Sequence, residues 1–305
     1  MNPGQSPEPR DLRGQVAIVT GAGKGLGRAY AMHLAARGAS VLVNNRRHAG
    51  QSDAQTSAHD TVASIEAEGG QAAANWCDVS DPDSGRQLVD QALSRFGRLD
   101  IVIGNAAVDT ACSFRKQSLA DFKAIFDVSF FGNLYLVHAA WPHLIHQGYG
   151  RVVLTTSSAG LHGNHGQSAY SAAKSAVIGL MRSLAIEGGR SGVRVNAIAP
   201  YGHTQMTAPH MGERMAAALA PERVSPLVGW LCSPDCDVTG TVLVCGGGGL
   251  RQARSVETPA TRLDERNPGG SVRALANQPA QGHATASDSY RSFLAELDIQ
   301  EVSDP

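Results

Sequence analysis

From Gln15 to about Ala199 the chain alternates short apolar runs with longer stretches in which apolar residues recur at helical spacing. VAIVT, SVLVNN, AAANWCDV, LDIVIGNAA, RVVLTTSS and VRVNAIAP have the length and near-continuous apolar character of strands covered on both faces. Strands separated by helices predict βαβ units. The expected fold class is therefore α/β, a single doubly wound parallel sheet with helices on both faces and functional loops at the carboxyl ends of the strands. TVLVC predicts one more strand, about seven in all. Beyond Leu250 the texture becomes polar and rich in Gly, Pro and Ala, so the pattern divides the chain into a polar N-terminal segment (1–11), one domain (12–250) and a polar C-terminal extension (251–305). Within the extension, SDSYRSFLAEL predicts a short helix near 287–296 with a serine or aspartate cap and an apolar face of Tyr290, Phe293 and Leu294.

Gly21, Gly25 and Gly27 in VTGAGKGLGRAY follow the first strand and open the first helix, with Lys24 and Leu26 between them. Glycines there let the backbone turn sharply and approach phosphates, and the free amides of the helix start favour a pyrophosphate. A Rossmann-type dinucleotide site is the expectation; an ordinary tight β-to-α turn is the alternative. The second strand ends in NNRRH, where such folds often carry an acid for the adenosine ribose. Asn45 stands in that place, followed by Arg46 and Arg47, with Lys24 nearby in the loop. An uncancelled positive pocket suits a 2′-phosphate, which favours NADP(H), with NAD(H) as the alternative if these cations are merely solvated. Asp78, beside Val79 in CDVS, is placed to accept a hydrogen bond from an adenine amino group, or else to cap a helix beginning near Asp81. Asn105, with Ala106 and Ala107 at the end of the fourth strand, is placed to support the cofactor and the neighbouring strand.

The stretch TTSSAGLHGNHGQSAYSAAK supplies the chemistry. Tyr170 and Lys174 are four residues apart in a helical pattern, which puts their Cβ atoms on one face roughly 5–6 Å apart. A free tyrosine, with a pKa of about 10, is a weak base near neutrality, and an adjacent ammonium favours the phenolate. Ser157, at the end of the run RVVLTT, offers a hydroxyl to the substrate oxygen. Taken alone the Tyr/Lys pair is an ordinary helical pair. Its position downstream of a nucleotide loop makes it a candidate for proton transfer at an alcohol or carbonyl carbon. His162 and His165 follow the same strand and are candidates for the substrate cleft or for polar surface.

Composition narrows the partners. The chain has 305 residues, 42% hydrophobic and 17% charged, with a formal net charge of −1 and a pI near 6.8. That balance provides no basic field for nucleic acid or an anionic membrane. No run reaches the roughly 18 apolar residues of a membrane span, and the polar start MNPGQSPEPRDLRG has no apolar signal core, so a cytoplasmic location is expected. Cys77, Cys112, Cys232, Cys236 and Cys245 are scattered, which argues for reduced thiols, and Cys232 with Cys236 lacks a matching second pair for zinc. No metal is expected.

Together these motifs resemble the short-chain dehydrogenase/reductase family: TGAGKGLG for its glycine motif TGxxxGxG, NAA for its NNAG, Ser157, YSAAK for YxxxK, and NAIAP. The likeness runs from about Leu12 to Leu250, and AAWPHLIHQGYGRVVLTTSSAGLHGNHGQSAYSAAK, SLAIEG and SPLVGWLC look most like the (3R)-hydroxyacyl-CoA dehydrogenase unit of peroxisomal multifunctional β-oxidation enzymes. The resemblance implies an NAD(P)-dependent oxidoreductase that interconverts a secondary alcohol and a ketone, with a 3-hydroxyacyl or 3-oxoacyl thioester as the expected substrate. It makes Tyr170 the acid/base, Ser157 the polariser of the substrate oxygen, and Lys174 the tuner of Tyr170 and a ligand of the nicotinamide ribose. It brings Leu26, Val79, Pro200 and Gly202 to the cofactor, and it implies a homodimer or homotetramer. The chain departs from the family at Ser129, where a catalytic asparagine is usual, at Gly104-Asn105-Ala106-Ala107, which loses one amide side chain, and at Pro200-Tyr201-Gly202, where Tyr201 is expected to project toward substrate. These departures keep two alternatives open: a catalytically weak nucleotide-binding regulatory protein, and a steroid, sugar or polyketide reductase.

Overall fold

The computed structural model describes residues 12–208 and 212–299. The expected polar segment 1–11 lies outside the described residues, as do residues 209–211 and 300–305.

The apolar runs become strands β1 (Val16–Thr20), β2 (Ser40–Asn44), β3 (Gln71–Asn75), β4 (Ile101–Gly104), β5 (Gly150–Thr155), β6 (Val193–Pro200) and β7 (Val242–Gly246). They pair in parallel with spatial order β3-β2-β1-β4-β5-β6-β7. Ala17 is the hinge of the arrangement: its Cα partner is Val41 on one side and Ile101 on the other. Chain order reverses there, so the loops leaving β1 and β4 diverge and open a crevice at the carboxyl edge.

Side chains alternate across this sheet with period two. Val19, Val43 and Ile103 share one buried cluster with Tyr30 and Leu34 of α1 (Gly25–Ala36), Ile65 of α2 (Ser57–Ala67) and Leu231 of α9 (Ser225–Leu231), which packs beside α1. Ile18, Leu42 and Val102 are fully buried on the opposite face. That face carries α3 (Ser84–Phe96), α5 (Gly132–His146) and the 21-residue α7 (Ser168–Gly188). Burial on both faces explains why these strands read as continuous apolar runs.

Two features differ from the sequence expectation. An eighth strand, β8 (Gly249–Ala253), lies at the sheet edge beyond β7, after Gly247 and Gly248, both at positive φ. Its residues Gly249 to Gln252 are exposed, so no hydrophobic pattern announced it. The other is a π-helical segment, Asp127–Phe131, between α4 (Leu119–Phe126) and α5, which places Ser129 in a widened turn that the sequence pattern does not announce.

The chain divides into compact units at Gln252. The second unit, from Ala253, contains α10 (Pro268–Ala274) and α11 (Ala286–Glu296), with Glu257 bridged to Gln281. α11 coincides with the expected helix, but its cap is Thr285, whose hydroxyl accepts from Asp288 N while Asp288 returns the bond in a capping box. α10 was not expected, because its Pro-Gly-Gly start is a poor helix former; Asn267 rescues it by accepting from Gly270 N.

Gly85 shows how closely the helices behind the crevice approach. A Cβ there would lie 2.0 Å from the Tyr135 carbonyl oxygen of α5. Alanine favours a helix interior over glycine by less than about 1 kcal/mol, whereas overpacking against backbone costs about 1–3 kcal/mol. Gly85→Ala is therefore expected to lower unfolding stability by about 2 kcal/mol in urea titrations, despite the better helix propensity.

Candidate active site

The glycine loop is shaped by local backbone needs. Gly21 and Gly25 have φ of 63° and 55°, a region unfavourable for residues with a Cβ. Lys24 occupies the N-cap of α1 with an extended backbone and no side-chain cap bond, so the first-turn amides of α1 are free to meet an anion. Asn105 secures the loop from the side. Its backbone N–H donates to Thr20 Oγ1 at 3.0 Å, its Nδ2 donates to the Thr20 carbonyl at 3.0 Å, and Ala106 N donates to the same hydroxyl at 3.1 Å.

A cleft of about 330 Å³ runs from this loop to the end of β5. Gly21, Lys24, Gly25, Leu26, Gly27, Asn45, Arg46, Asp78, Val79, Asn105, Ala106, Ala107, Pro200 and Gly202 line it, together with Ser157, Tyr170 and Lys174. Ser129 does not line it. The lining also includes Asn44, Cys77, Val108, Val128, Thr155, Thr156 and Thr204 to Thr207, which the sequence reading did not assign. Thr155 and Thr156 stood in the same TTSS run as Ser157, and the 204–207 segment belongs to HTQMT, so position along the chain was a signal for both. Tyr201 corrects an expectation: it is 44% exposed and outside the cleft lining, its backbone and Cβ lying against Gly246. His162 and His165 are likewise exposed and outside the lining.

The adenosine end also differs from expectation. Arg46 Nη1 is 3.5 Å from Asp78 Oδ2 and Arg47 Nη1 is 2.8 Å from Asp53 Oδ1, so the two guanidinium groups are not uncancelled. Asn45 Nδ2 donates to Ser57 Oγ at 3.0 Å. Asp78 does not cap a helix: α3 starts at Ser84, and Asp78 Oδ1 accepts from the backbone N–H and hydroxyl of Ser80 at 3.0 and 2.7 Å. Burial opposes its charge, but the Ser80 bonds and Arg46 together hold its carboxyl below the usual range.

At the other end, Ser157 is the N-cap of α6 (Ser158–His162), its Oγ accepting from Ala159 N at 3.1 Å. That bond uses a lone pair and leaves the hydroxyl proton to be donated toward an oxygen in the cleft, here that of Tyr170. Tyr170 is nine-tenths buried in the first turn of α7, and Lys174 is fully buried one turn on, its Nζ 5.7 Å from the Tyr170 ring centroid. Lys174 Nζ donates to the Thr155 carbonyl at 2.7 Å, and Thr156 Oγ1 donates to the Lys174 carbonyl at 2.7 Å. These bonds fasten α7 to the end of β5. Burial dominates the protonation of both groups. It pushes the Tyr170 phenol up to about 12, with a hydrogen bond to Ser157 opposing and the Asp109 charge adding to the rise. It draws the Lys174 ammonium down to about 7. Burial thus sets the direction for the phenol, and the lysine is itself driven toward its neutral form by the same apolar surroundings.

Ser129 is fully buried. Its hydroxyl donates to the Val108 carbonyl and accepts from Val108 N, both at 3.1 Å. It grips the loop after β4, at the position where the resemblance implies a catalytic asparagine.

The family model for short chain dehydrogenases matches residues 15–214, and this chain belongs to that family. It is 40% identical over 261 residues to mouse peroxisomal multifunctional enzyme type 2, covering 85% of this chain but 35% of the mouse enzyme, so the chain spans about a third of that relative. It is 39% identical over 189 residues to the 3-oxoacyl-[acyl-carrier-protein] reductase of Synechocystis, covering 62% of this chain and 74% of that protein. A solved short chain dehydrogenase from Mycobacterium avium superposes with a TM-score of 0.79 at 37% identity, covering 89% of this chain and 97% of that one. A 7α-hydroxysteroid dehydrogenase solved with NADH and 7-oxo glycochenodeoxycholic acid superposes with a TM-score of 0.72 at 30% identity, covering 80% of this chain and 98% of that one. The chain is an oxidoreductase of a family that binds nicotinamide cofactors. Among the described residues no helix is long and apolar enough to cross a membrane.

Burial of Lys174 has a thermodynamic signature. The unfolded chain keeps this proton to near the ordinary value of 10.5, while the folded chain releases it near 7. Between those limits the unfolded state binds more protons, so the penalty of the buried ammonium fades as pH rises. In urea titrations without nucleotide, the stability of wild type relative to Lys174→Met is expected to increase by a few kcal/mol between about pH 6.5 and pH 9.5. A difference independent of pH would contradict a buried, titrating lysine.

Proposed function

We propose that the protein interconverts a secondary alcohol and a ketone with a nicotinamide dinucleotide, using Tyr170 as acid/base, and that its substrate is a 3-hydroxyacyl or 3-oxoacyl thioester. The observation that carries this reading is the convergence of Ser157, Tyr170 and Lys174 on the cleft whose far end is the glycine loop. The uncapped helix start and the positive-φ glycines fit a pyrophosphate there. Bound in this cleft, the dinucleotide supplies or accepts a hydride at the substrate carbon. Ser157 donates a hydrogen bond to the substrate oxygen and holds it beside the phenol; Tyr170 donates a proton to that oxygen in reduction or takes one in oxidation. Lys174, fixed to the Thr155 carbonyl, orients the ribose and offers a proton to refill Tyr170.

Val108, Val128 and Met206 give the cleft an apolar lining suited to an acyl chain, and the Synechocystis relative is named for a 3-oxoacyl substrate. The hydroxysteroid relative supports a steroid reading as the alternative. NADP(H) is favoured over NAD(H) in this reading because Asn45 replaces the ribose-binding acid and the Arg46 side chain remains half exposed beside it. Five free thiols accord with a cytoplasmic location. The partly buried aromatic series Phe122, Phe126, Phe130, Phe131 and Tyr135, with successive centroids 5.2 to 6.3 Å apart along the α4–α5 helix, supports a homodimer or homotetramer.

Cofactor absorbance with a panel of 3-oxoacyl thioesters and oxosteroids tests the substrate class. Turnover of the oxosteroids with none of the thioesters would move the reading to the alternative. Tyr170→Phe is expected to lower kcat by about 10³-fold or more while changing the cofactor Kd only a few-fold. Retained turnover would remove Tyr170 from the chemistry. Comparison of kcat/KM is expected to favour NADPH over NADH by up to about fivefold, the worth of one exposed charge contact; a preference for NADH would overturn the 2′-phosphate assignment.

A further inference from the structure

Asp109 lies in the loop that leaves β4, beside the cleft lining, and none of the steps above employs it. Its carboxylate is held on one side, and the backbone of its neighbour Val108 on the other. Gln167, the residue before α7, donates from Nε2 to Asp109 Oδ2, and the Gln167 amide is itself oriented by Asn164 Nδ2, which donates to Gln167 Oε1 at 2.6 Å. On the other side, Val108 is held through both backbone groups by the Ser129 hydroxyl. Val108 packs against the buried cluster formed by Ile125, Ala159, Ala169 and Tyr170. Cys112 N donates to the Gly166 carbonyl at 2.8 Å and Ser168 Oγ to Gln117 Oε1 at 2.9 Å, so the whole loop is stitched to the segment that enters α7. Within this frame Asp109 Oδ1 is buried with no hydrogen-bond partner among the described residues.

A carboxylate held this way concentrates negative charge where little water screens it. Resting on the reading of Tyr170 as acid/base, we propose that Asp109 is a positioning residue of the proton-transfer step: clamped by Gln167 and by the Ser129–Val108 grip, it biases Tyr170 toward its protonated, proton-giving form. The direction agrees with the influences on the phenol, where burial and the Asp109 charge act together against Ser157.

The remaining charged groups around α7 do not duplicate this effect. Lys174, on α7 itself, has its Nζ committed to the Thr155 carbonyl. Lys123 and Asp127, from α4 and the π segment, pair with each other at 2.7 Å. His162 and His165, from α6 and the loop after it, are exposed, as are Arg115 and Lys116 of the Asp109 loop. Arg151 opens β5 and bonds the Ser233 and Gly192 carbonyls, at the end of the strand remote from Thr155. Arg190 and Arg194 lie beyond the far end of α7, where Arg194 bonds the Gly189 carbonyl. Arg182 and Glu187 stand on α7 more than three turns past Tyr170.

The test follows Tyr170 directly. In the complex with oxidised dinucleotide, the ring carbon bearing the hydroxyl is titrated by NMR on protein labelled at that carbon, the Tyr170 signal being assigned by its loss in Tyr170→Phe. Asp109→Asn keeps the size and an acceptor for Gln167 but removes the charge, so its phenolate is expected to form about one pH unit lower than in wild type. The rising limb of kcat/KM for alcohol oxidation should move down by the same amount, a change that a purely structural role would not produce. Superimposable phenol titrations in wild type and Asp109→Asn would overturn the proposal. A moved titration with an unmoved rate profile would support Asp109 acting on Tyr170 but sink the reading of Tyr170 as acid/base. Should Asp109→Asn fold poorly, Gln167→Leu keeps the charge but frees it from its clamp; a smaller shift in the same direction is expected, and no shift counts against the proposal.

Discussion

The site depends on how β1 and β4 are held at the place where their connections part. Adjacent strands whose chains run off in opposite directions have loops that would drift apart. Thr20 prevents this, because its hydroxyl accepts from the amides of Asn105 and Ala106 while its carbonyl accepts from the Asn105 side chain. A single residue thus ties the phosphate loop to the strand that frames the substrate end. The spacing between the glycine loop and the Ser157–Tyr170 end of the cleft is set by this tie and by the parallel register of β4 with β5. Such a tie suits the close alignment that the proposed hydride transfer demands.

A second constraint is electrostatic. The same apolar surroundings that exclude water from Tyr170 and Lys174 push both toward their neutral forms, in opposite pH directions. The pair is therefore not an ion pair built into the fold. Its charge state is left to be decided by what enters the cleft and by the few polar groups at its wall, Ser157 pulling one way and Asp109 the other. Short fixed hydrogen bonds to Thr155 and Thr156 keep the lysine in place whichever form it takes.

Much of this was legible in the residues. Strands buried on both faces leave continuous apolar runs, and the helical spacing of Tyr170 and Lys174 placed them on one face, so the sheet and the core of the cleft could be read directly. The positions that escaped notice are those whose behaviour depends on partners far along the chain. Arg46 and Arg47 look like free cations until Asp78 and Asp53 are seen beside them. Ser129 gives no sign in the sequence of its partner Val108, which the fold brings to it from 21 residues away. Tyr201 looked like a cleft residue because of its neighbours in sequence, yet the close contact of its backbone with Gly246 turns it elsewhere. β8 was invisible because an exposed edge strand needs no hydrophobic pattern.

That last strand has a consequence for the company the sheet keeps. β7 is mostly buried and apolar, with Val242, Val244 and Cys245 inside, and a strand of that kind left at a margin would present an adhesive row of amides and carbonyls to any other extended chain. The Gly247–Gly248 turn folds the chain back so that Leu250, Arg251 and Gln252 occupy the margin instead. Charge and side-chain bulk at the border make it a poor template for runaway strand addition, and the sheet carries its own terminator.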